Sequence, residues 1–236
     1  MRHTGSDPLL FPSVIAAPSA MPLMPDLHFE TLLRQHGMTY IAGTDEAGRG
    51  PLAGPVVAAA VVLPAELSAE GKADLKDLTD SKKLNEAKRI RLFSTVCQHA
   101  LATSIVSVGA QRIDATDILS ASLDAMRRAV LALAIQPHAV LVDGNRLIRE
   151  LPPSIAQQAI IEGDSRSLSI AAASILAKVT RDAMMKELGR THPAYGLEAH
   201  KGYGSVSHRQ TLESNGGVAR VHRYSFKPLK QDDRLL

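Results

Sequence analysis

Cysteine is almost missing from this chain: Cys97 is the only one in 236 residues. That excludes an internal disulfide framework and a four-cysteine zinc site. Aromatic residues make up only 3%. The longest unbroken apolar run, Val56 to Leu63, falls far short of the roughly 20 residues needed to span a bilayer. No G-x-x-x-x-G-K-[ST] nucleotide loop and no internal repeat occur. What is present is ordinary for a globular chain: 45% hydrophobic, 22% charged, formal net charge +3. Whole-chain disorder is excluded because Leu, Ile, Val and Ala are plentiful. One domain, or one plus a small appendage, is expected, in a reducing, cytoplasmic setting.

Proline and charge are unevenly placed. Pro8, Pro12, Pro18, Pro22 and Pro25 are five of the 13 prolines and lie in the first 37 residues. No helical or alternating pattern survives there, so 1–37 reads as a flexible leader. The apolar stretch Leu9 to Ala20 echoes a signal peptide, but Pro12 and Pro18 interrupt it and Asp7 stands where positive charge is expected. Met21, Met24 or Met38 could serve as a start. At the other end, Gly189 to Leu236 carries eight bases and four acids, a net +4 that leaves the remainder at −1. A basic end on a near-neutral body fits a polyanion partner, or a solvated tail.

Between them, strands and helices alternate. Strands are predicted at Thr39–Thr44, Val56–Leu63, Leu101–Val108, Ala139–Val142 and Ala159–Ile161. Helices are predicted at Asn85–His99, Ala115–Ile135 and Leu168–Leu188. The class is α/β, or α+β, with a mixed sheet.

Four acids stand at the ends of these elements. Asp45 and Glu46 close the first strand, Asp143 closes another, and Asp164 precedes the longest helix. Singly, each is explained by turn or cap chemistry. Together they sit where an open sheet forms its ligand sites. Four converging carboxylates repel unless cations lie among them, and hard oxygen donors suit Mg²⁺ or Mn²⁺. Neighbouring side chains on a strand face opposite ways, so Asp45 and Glu46 share a site only if the strand ends or bends there.

Gly48-Arg49-Gly50-Pro51-Leu52-Ala53 formally fits the dinucleotide pattern G-x-G-x-x-A. That pattern needs a helix next, and Val56–Leu63 reads as a strand. The loop is therefore a strand–turn–strand link whose glycines allow backbone to approach a sugar or phosphate, or simply make a tight turn. His192, His200 and His208 recur every eight residues; without cysteine partners they read as polar surface or nucleic-acid contacts rather than a zinc site.

The ordered motifs resemble the ribonuclease HII family. They run Asp45–Val56, Asp80-Ser81-Lys82-Lys83-Leu84, Val142-Asp143-Gly144-Asn145, Gly163-Asp164, Ser169–Asp182, His200–Gly204 and His222–Phe226. The likeness covers nearly all of Tyr40–Leu229. It implies a ribonuclease H-like mixed β-sheet flanked by helices, over 38–188, with a small helical, basic, substrate-binding C-terminal segment over 189–236. It implies an endoribonuclease that hydrolyses the RNA strand of RNA–DNA hybrids and cuts 5′ of single ribonucleotides in duplex DNA, leaving 3′-hydroxyl and 5′-phosphate. Asp45, Glu46, Asp143 and Asp164 would hold Mg²⁺ or Mn²⁺. Gly48, Arg49 and Gly50 would read the 2′-hydroxyl, with Tyr203 sensing the substrate.

Residue chemistry agrees, because only the 2′-hydroxyl marks a ribonucleotide and it both donates and accepts. Tyr203, between Gly202 and Gly204, offers an aromatic face and a hydroxyl, unless it only packs a turn. Lys82, Lys83, Lys178 and Lys201 are candidate phosphate contacts, with Asn145 nearby; burial against a carboxylate is the other reading of Lys178. A monomer without membrane contact is expected. The second reading is a non-catalytic duplex-binding module, which the acids disfavour because they cost affinity at a phosphate site.

Overall fold

The computed structural model describes residues 24–229. The stretch Leu9–Ala20, and Lys230, Asp232, Asp233 and Arg234 of the basic end, lie outside the described residues. Five strands form one mixed sheet in the order β3-β2-β1-β4-β5. They are β1 Ile41–Ala47, β2 Val56–Val62, β3 Ala102–Val108, β4 Ala139–Asp143 and β5 Ala156–Ile160. The first three pair antiparallel, while β1–β4 and β4–β5 are parallel. The parallel half needs crossovers: helices lie on the path from β1 to β4, while the link from β4 to β5, residues 144–155, holds none.

Helix α5 (Ile118–Leu131) covers one face of the sheet. Helix α6 (Leu168–Thr191) covers the other, together with α2 (Ala69–Leu75) and α3 (Glu86–His99). Strand β2 is buried on both faces, and its run Val-Val-Ala-Ala-Ala-Val-Val shows no alternation for that reason. Helix α6 is rich in alanine and lies very close to β1. A Cβ on Gly43 would stand 2.2 Å from the Ser169 carbonyl carbon and 2.3 Å from the Ile170 nitrogen. Close approach of two backbones thus requires glycine at 43.

The helix expected over Ala115–Ile135 is α5, shorter at both ends, and a separate α4 (Ala110–Ala115) precedes it across Thr116-Asp117. Asp117 caps α5 by accepting from the Ser120 N–H at 2.9 Å, so a capping signal outranked the apolar period. Beyond α6, α7 (Leu197–His200) and α8 (Val206–Asn215) share a small core with Ala53 and Met185.

The leader reading needs correction between Met24 and Gly37. His28–Gln35 is a helix, α1, with Phe29 and Leu33 buried beside Ile41, Leu141 and Ile170. Its Glu30 is fully buried. One carboxylate oxygen accepts from Ser167 Oγ at 2.7 Å, Ser169 Oγ at 2.6 Å and Ser169 N at 3.1 Å. The helix is too short for a convincing sequence period, and tertiary burial holds it. It ties down the N-terminus of α6, which follows Asp164 directly. A chain begun at Met38 should therefore lose about 3 kcal/mol or more from the missing Phe29 and Leu33 packing alone. Urea denaturation of that truncation against the full chain checks this; an unchanged midpoint would show α1 to be dispensable.

Candidate active site

Register builds the acidic cluster. The last β1–β4 pair is Thr44 with Val142. Asp45 and Asp143 are each one residue further, so they extend side by side from neighbouring parallel strands. Strand β1 does not end at Asp45, contrary to the condition set by side-chain alternation. It stays paired with β2 through Ala47–Val57. What stops is its β4 neighbour, which leaves one edge of Asp45-Glu46-Ala47 open. Glu46, on the α5 side of the sheet, and Asp45, on the α6 side, meet the same cavity at this rim. Asp164 arrives on the 3₁₀ turn Gly163–Ser165 after β5. That turn is fixed to the site, because Asp143 Oδ1 accepts from the Gly163 N–H at 2.8 Å.

All four acids line one cavity of about 450 Å³. Burial, then Glu46 and Asp143, push the Asp45 carboxyl well above the ordinary range, against a Ser174 hydroxyl that lowers it. Burial raises Glu46 too, with Arg49 opposing and Asp143 adding. Burial raises Asp143, opposed by the N–H groups of Gly163, Asp164 and Gly144. Countercharge is scarce. Arg49 lies 3.4 Å from Glu46 but is half exposed. Burial works against the charge on Lys82, yet Asp80, Asp164, Asp45 and Asp143 together raise its pKa. Lys178 also lines the cavity, but its amine is 2.7 Å from Asp182.

The donor set fits hard divalent cations: four carboxylates line one cavity, and Asp45 is raised by its three acidic neighbours there. Among the described residues, no three His, Cys, Asp or Glu side chains are gathered to hold an ion by themselves. Mg²⁺ keeps several waters and shares substrate phosphate oxygens, so a closed protein cage is not its usual site.

The opposite wall is the loop Gly48–Pro55. It runs straight into β2, so the helix a dinucleotide site requires is absent. Two buried guanidiniums hold it. Arg223 donates from Nη2 to Gly48 O at 2.6 Å, from Nη1 to Arg49 O at 2.9 Å and from Nε to Gly54 O at 3.1 Å. Arg181 donates to the carbonyls of Pro55, Lys201 and Ala53 at 3.0, 3.1 and 3.1 Å. Burial and the nearby Arg181 bring Arg223 down to about 9, so it remains cationic at neutral pH.

This grip orients the loop. These peptides are trans, so an N–H points opposite to its own carbonyl. With the Gly48 and Arg49 carbonyls turned to Arg223, the N–H groups of Arg49 and Gly50 point away from it, and neither meets an acceptor among the described residues. Gly48 has φ +100°, and a Cβ there would meet Arg181 Nε at 2.0 Å. Only glycine fits.

Tyr203 lines the same cavity and is 47% exposed. Lys201 does not line it: its amine turns to the Glu198 carbonyl. Asn145 lies in an adjoining groove beyond Asp143. Lys83 shares the 3₁₀ turn of Lys82. Of the histidines expected at the surface, His208 is fully buried, which corrects that reading. Ser174, Arg181 and Arg223 escaped the sequence reading. Ser174, Lys178 and Arg181 are four and three residues apart, one face of a helix, and that spacing was the available signal.

Against known proteins, a family model described as ribonuclease HII matches residues 42–229. The ribonuclease HII of Brucella ovis is 49% identical over 233 residues, spanning 98% of both chains. The solved ribonuclease H2 of Pyrococcus horikoshii is 25% identical with a TM-score of 0.63, over 80% of this chain and 95% of its own. The ribonuclease HII of Archaeoglobus fulgidus, solved in complex with PCNA, is 25% identical with a TM-score of 0.65, over 84% and 98%. Matched from β1 to the segment that carries Arg223, with its acids and glycine loop on one cavity, this chain belongs to the ribonuclease HII family.

Proposed function

We propose that this metal-dependent endoribonuclease hydrolyses the RNA strand of RNA–DNA hybrids and cuts 5′ of single ribonucleotides in duplex DNA. The observation that carries the reading is the pairing of two walls in one cavity: four carboxylates face a backbone loop whose Arg49 and Gly50 N–H groups meet no acceptor among the described residues. The first wall suits phosphodiester hydrolysis and the second suits recognition of a ribose.

Asp45, Glu46, Asp143 and Asp164 would hold Mg²⁺ or Mn²⁺. Bound there, such ions would supply the charge that activates a water toward phosphorus and steadies a departing 3′-oxygen. The chain's own residues do the rest. The Arg49 and Gly50 N–H groups donate to the 2′-oxygen, which a deoxyribose lacks. The Tyr203 ring lies against the sugar and excludes water there. Lys82 and Lys178 meet the phosphates flanking the cut. Bare loop backbone adds no side-chain bulk, so it approaches one nucleotide inside a regular duplex.

The direct test is an end-labelled DNA duplex with one ribonucleotide, beside an all-DNA duplex, with Mg²⁺, Mn²⁺ or EDTA. The expected result is a metal-dependent cut 5′ of the ribonucleotide and none in the control. Binding without a cut under either metal would favour the duplex-binding module. Asp45→Asn should lower cleavage on the order of 10³-fold. Tyr203→Ala should slow cutting at a lone ribonucleotide tenfold or more, on the order of a misplaced substrate; unchanged kinetics would leave Tyr203 a structural residue only.

Asp45→Asn also has a stability signature. A carboxyl whose folded pKa is raised favours the fold below its unfolded pKa, about 4, and loses that contribution as pH rises through the folded value. In EDTA, Asp45→Asn should therefore melt several degrees above the native chain at pH 8. The gap should close toward pH 4. Melting curves at both pH values decide it, and a gap independent of pH would mean Asp45 ionisation costs the fold nothing.

A further inference from the structure

Behind Tyr203 lies a buried row of histidines that the cleavage chemistry does not use. His222 Nδ1 is 2.9 Å from the Val218 N–H, which can only donate. His222 Nδ1 therefore accepts, and the ring's proton is on Nε2. That proton points at His208 Nε2, 3.1 Å away. His208 must accept there, so its own proton sits on Nδ1. Nδ1 is 2.9 Å from the Tyr203 carbonyl oxygen, which can only accept. Both ends of the row demand the same order of protons. The reverse order would set N–H against the Val218 N–H and bare nitrogen against the Tyr203 carbonyl.

From this geometry we infer that His222 and His208 are a positioning relay, which fixes the Tyr203 backbone and so aims its ring into the cavity. The inference rests on the ribose-facing role given to Tyr203 above. Neighbours close the turn from the other side. The His200 carbonyl accepts from the Tyr203 N–H at 3.0 Å. His200 Nδ1 accepts from the Gly202 N–H at 3.2 Å, and its ring stacks on His208 with centroids 4.4 Å apart. Backbone on both sides of Tyr203 is thus held while its side chain stays half exposed. Burial and the neighbouring His208 push His222 down to about 4, so the neutral order persists at physiological pH.

The relay also joins the two parts of the ribose reader. His222 directly precedes Arg223, which sets the direction of the Gly48 and Arg49 peptides. One short segment therefore aims the loop through a guanidinium and the tyrosine through a pair of imidazoles.

The first test needs no variant: ¹⁵N-histidine NMR of the full chain at pH 7. The expected result is His208 protonated on Nδ1 and His222 on Nε2. His208 protonated on Nε2, or a cationic ring at either position, would overturn the relay. The second test is kinetic, on the duplex with one ribonucleotide. His208→Asn keeps a donor near the Nδ1 position and should stay within about threefold of the native chain, whereas His208→Phe should lose on the order of tenfold, mostly in kcat. In a Tyr203→Ala background His208→Phe should cost nothing further, since a residue acting only through Tyr203 couples to it fully. An equal loss in both backgrounds would mean a general structural role and sink the relay. A native chain that cuts no substrate would instead defeat the proposed function, with the tautomers still deciding the relay.

Discussion

The site depends on two buried cations, Arg181 and Arg223, that are bonded to carbonyl oxygens rather than to acids. Arg181 and Arg223 together satisfy the carbonyls of Gly48, Arg49, Ala53, Gly54, Pro55 and Lys201. A loop drawn this far inward would otherwise bury unpaired acceptors at a cost of about 1–3 kcal/mol each. Guanidinium suits the task because its donors fan out in one rigid plane, so three separate carbonyls are met by one side chain. Lysine has no such fork. The same bonds pin α6, the glycine loop and the segment after α8 to one another, and those three pieces are the walls of the cavity.

Basic residues in the C-terminal segment thus divide by burial rather than by sequence position. The excess of positive charge suggested a phosphate-binding surface, yet Arg223 lies wholly inside and Lys201 turns to a carbonyl. Net charge measures what a segment carries and not where it points. The bases that line the cavity, Arg49, Lys82, Lys178 and Arg181, all lie outside that segment.

Asp45 and Asp143 were legible because each follows a strong apolar run, where the β1–β4 pairing stops. Asp45 follows Ile41-Ala42-Gly43-Thr44, and Asp143 follows Ala139-Val140-Leu141-Val142. The resemblance of ordered motifs supplied their common purpose. Less was legible where tertiary contact decides local structure. Helix α1 holds through Glu30, Phe29 and Leu33, whose partners lie more than a hundred residues away in the Glu30 bonds. The histidines every eight residues looked like surface because histidine is polar, but His208 is fully buried, with one ring nitrogen on the Tyr203 carbonyl and the other on His222. Period and composition say nothing about such pairing.

The carboxylates and the arginines are two answers to one problem, charge taken out of water. Each guanidinium is matched by three carbonyl acceptors within the chain, so its buried charge stabilises the folded loop. The acids are left in deficit: burial raises Asp45, Glu46 and Asp143, neighbouring acids raise the first two further, and Lys178 is already engaged with Asp182. An unmatched group costs stability in the free protein and returns it on binding, so the deficit is affinity held in reserve for cations and the phosphate they accompany. The loop's free N–H groups follow the same logic at smaller scale. The groups matched internally form the scaffold, and those facing the cavity set what the proposed ligand must supply: divalent charge on the acid wall and an oxygen acceptor on the loop wall.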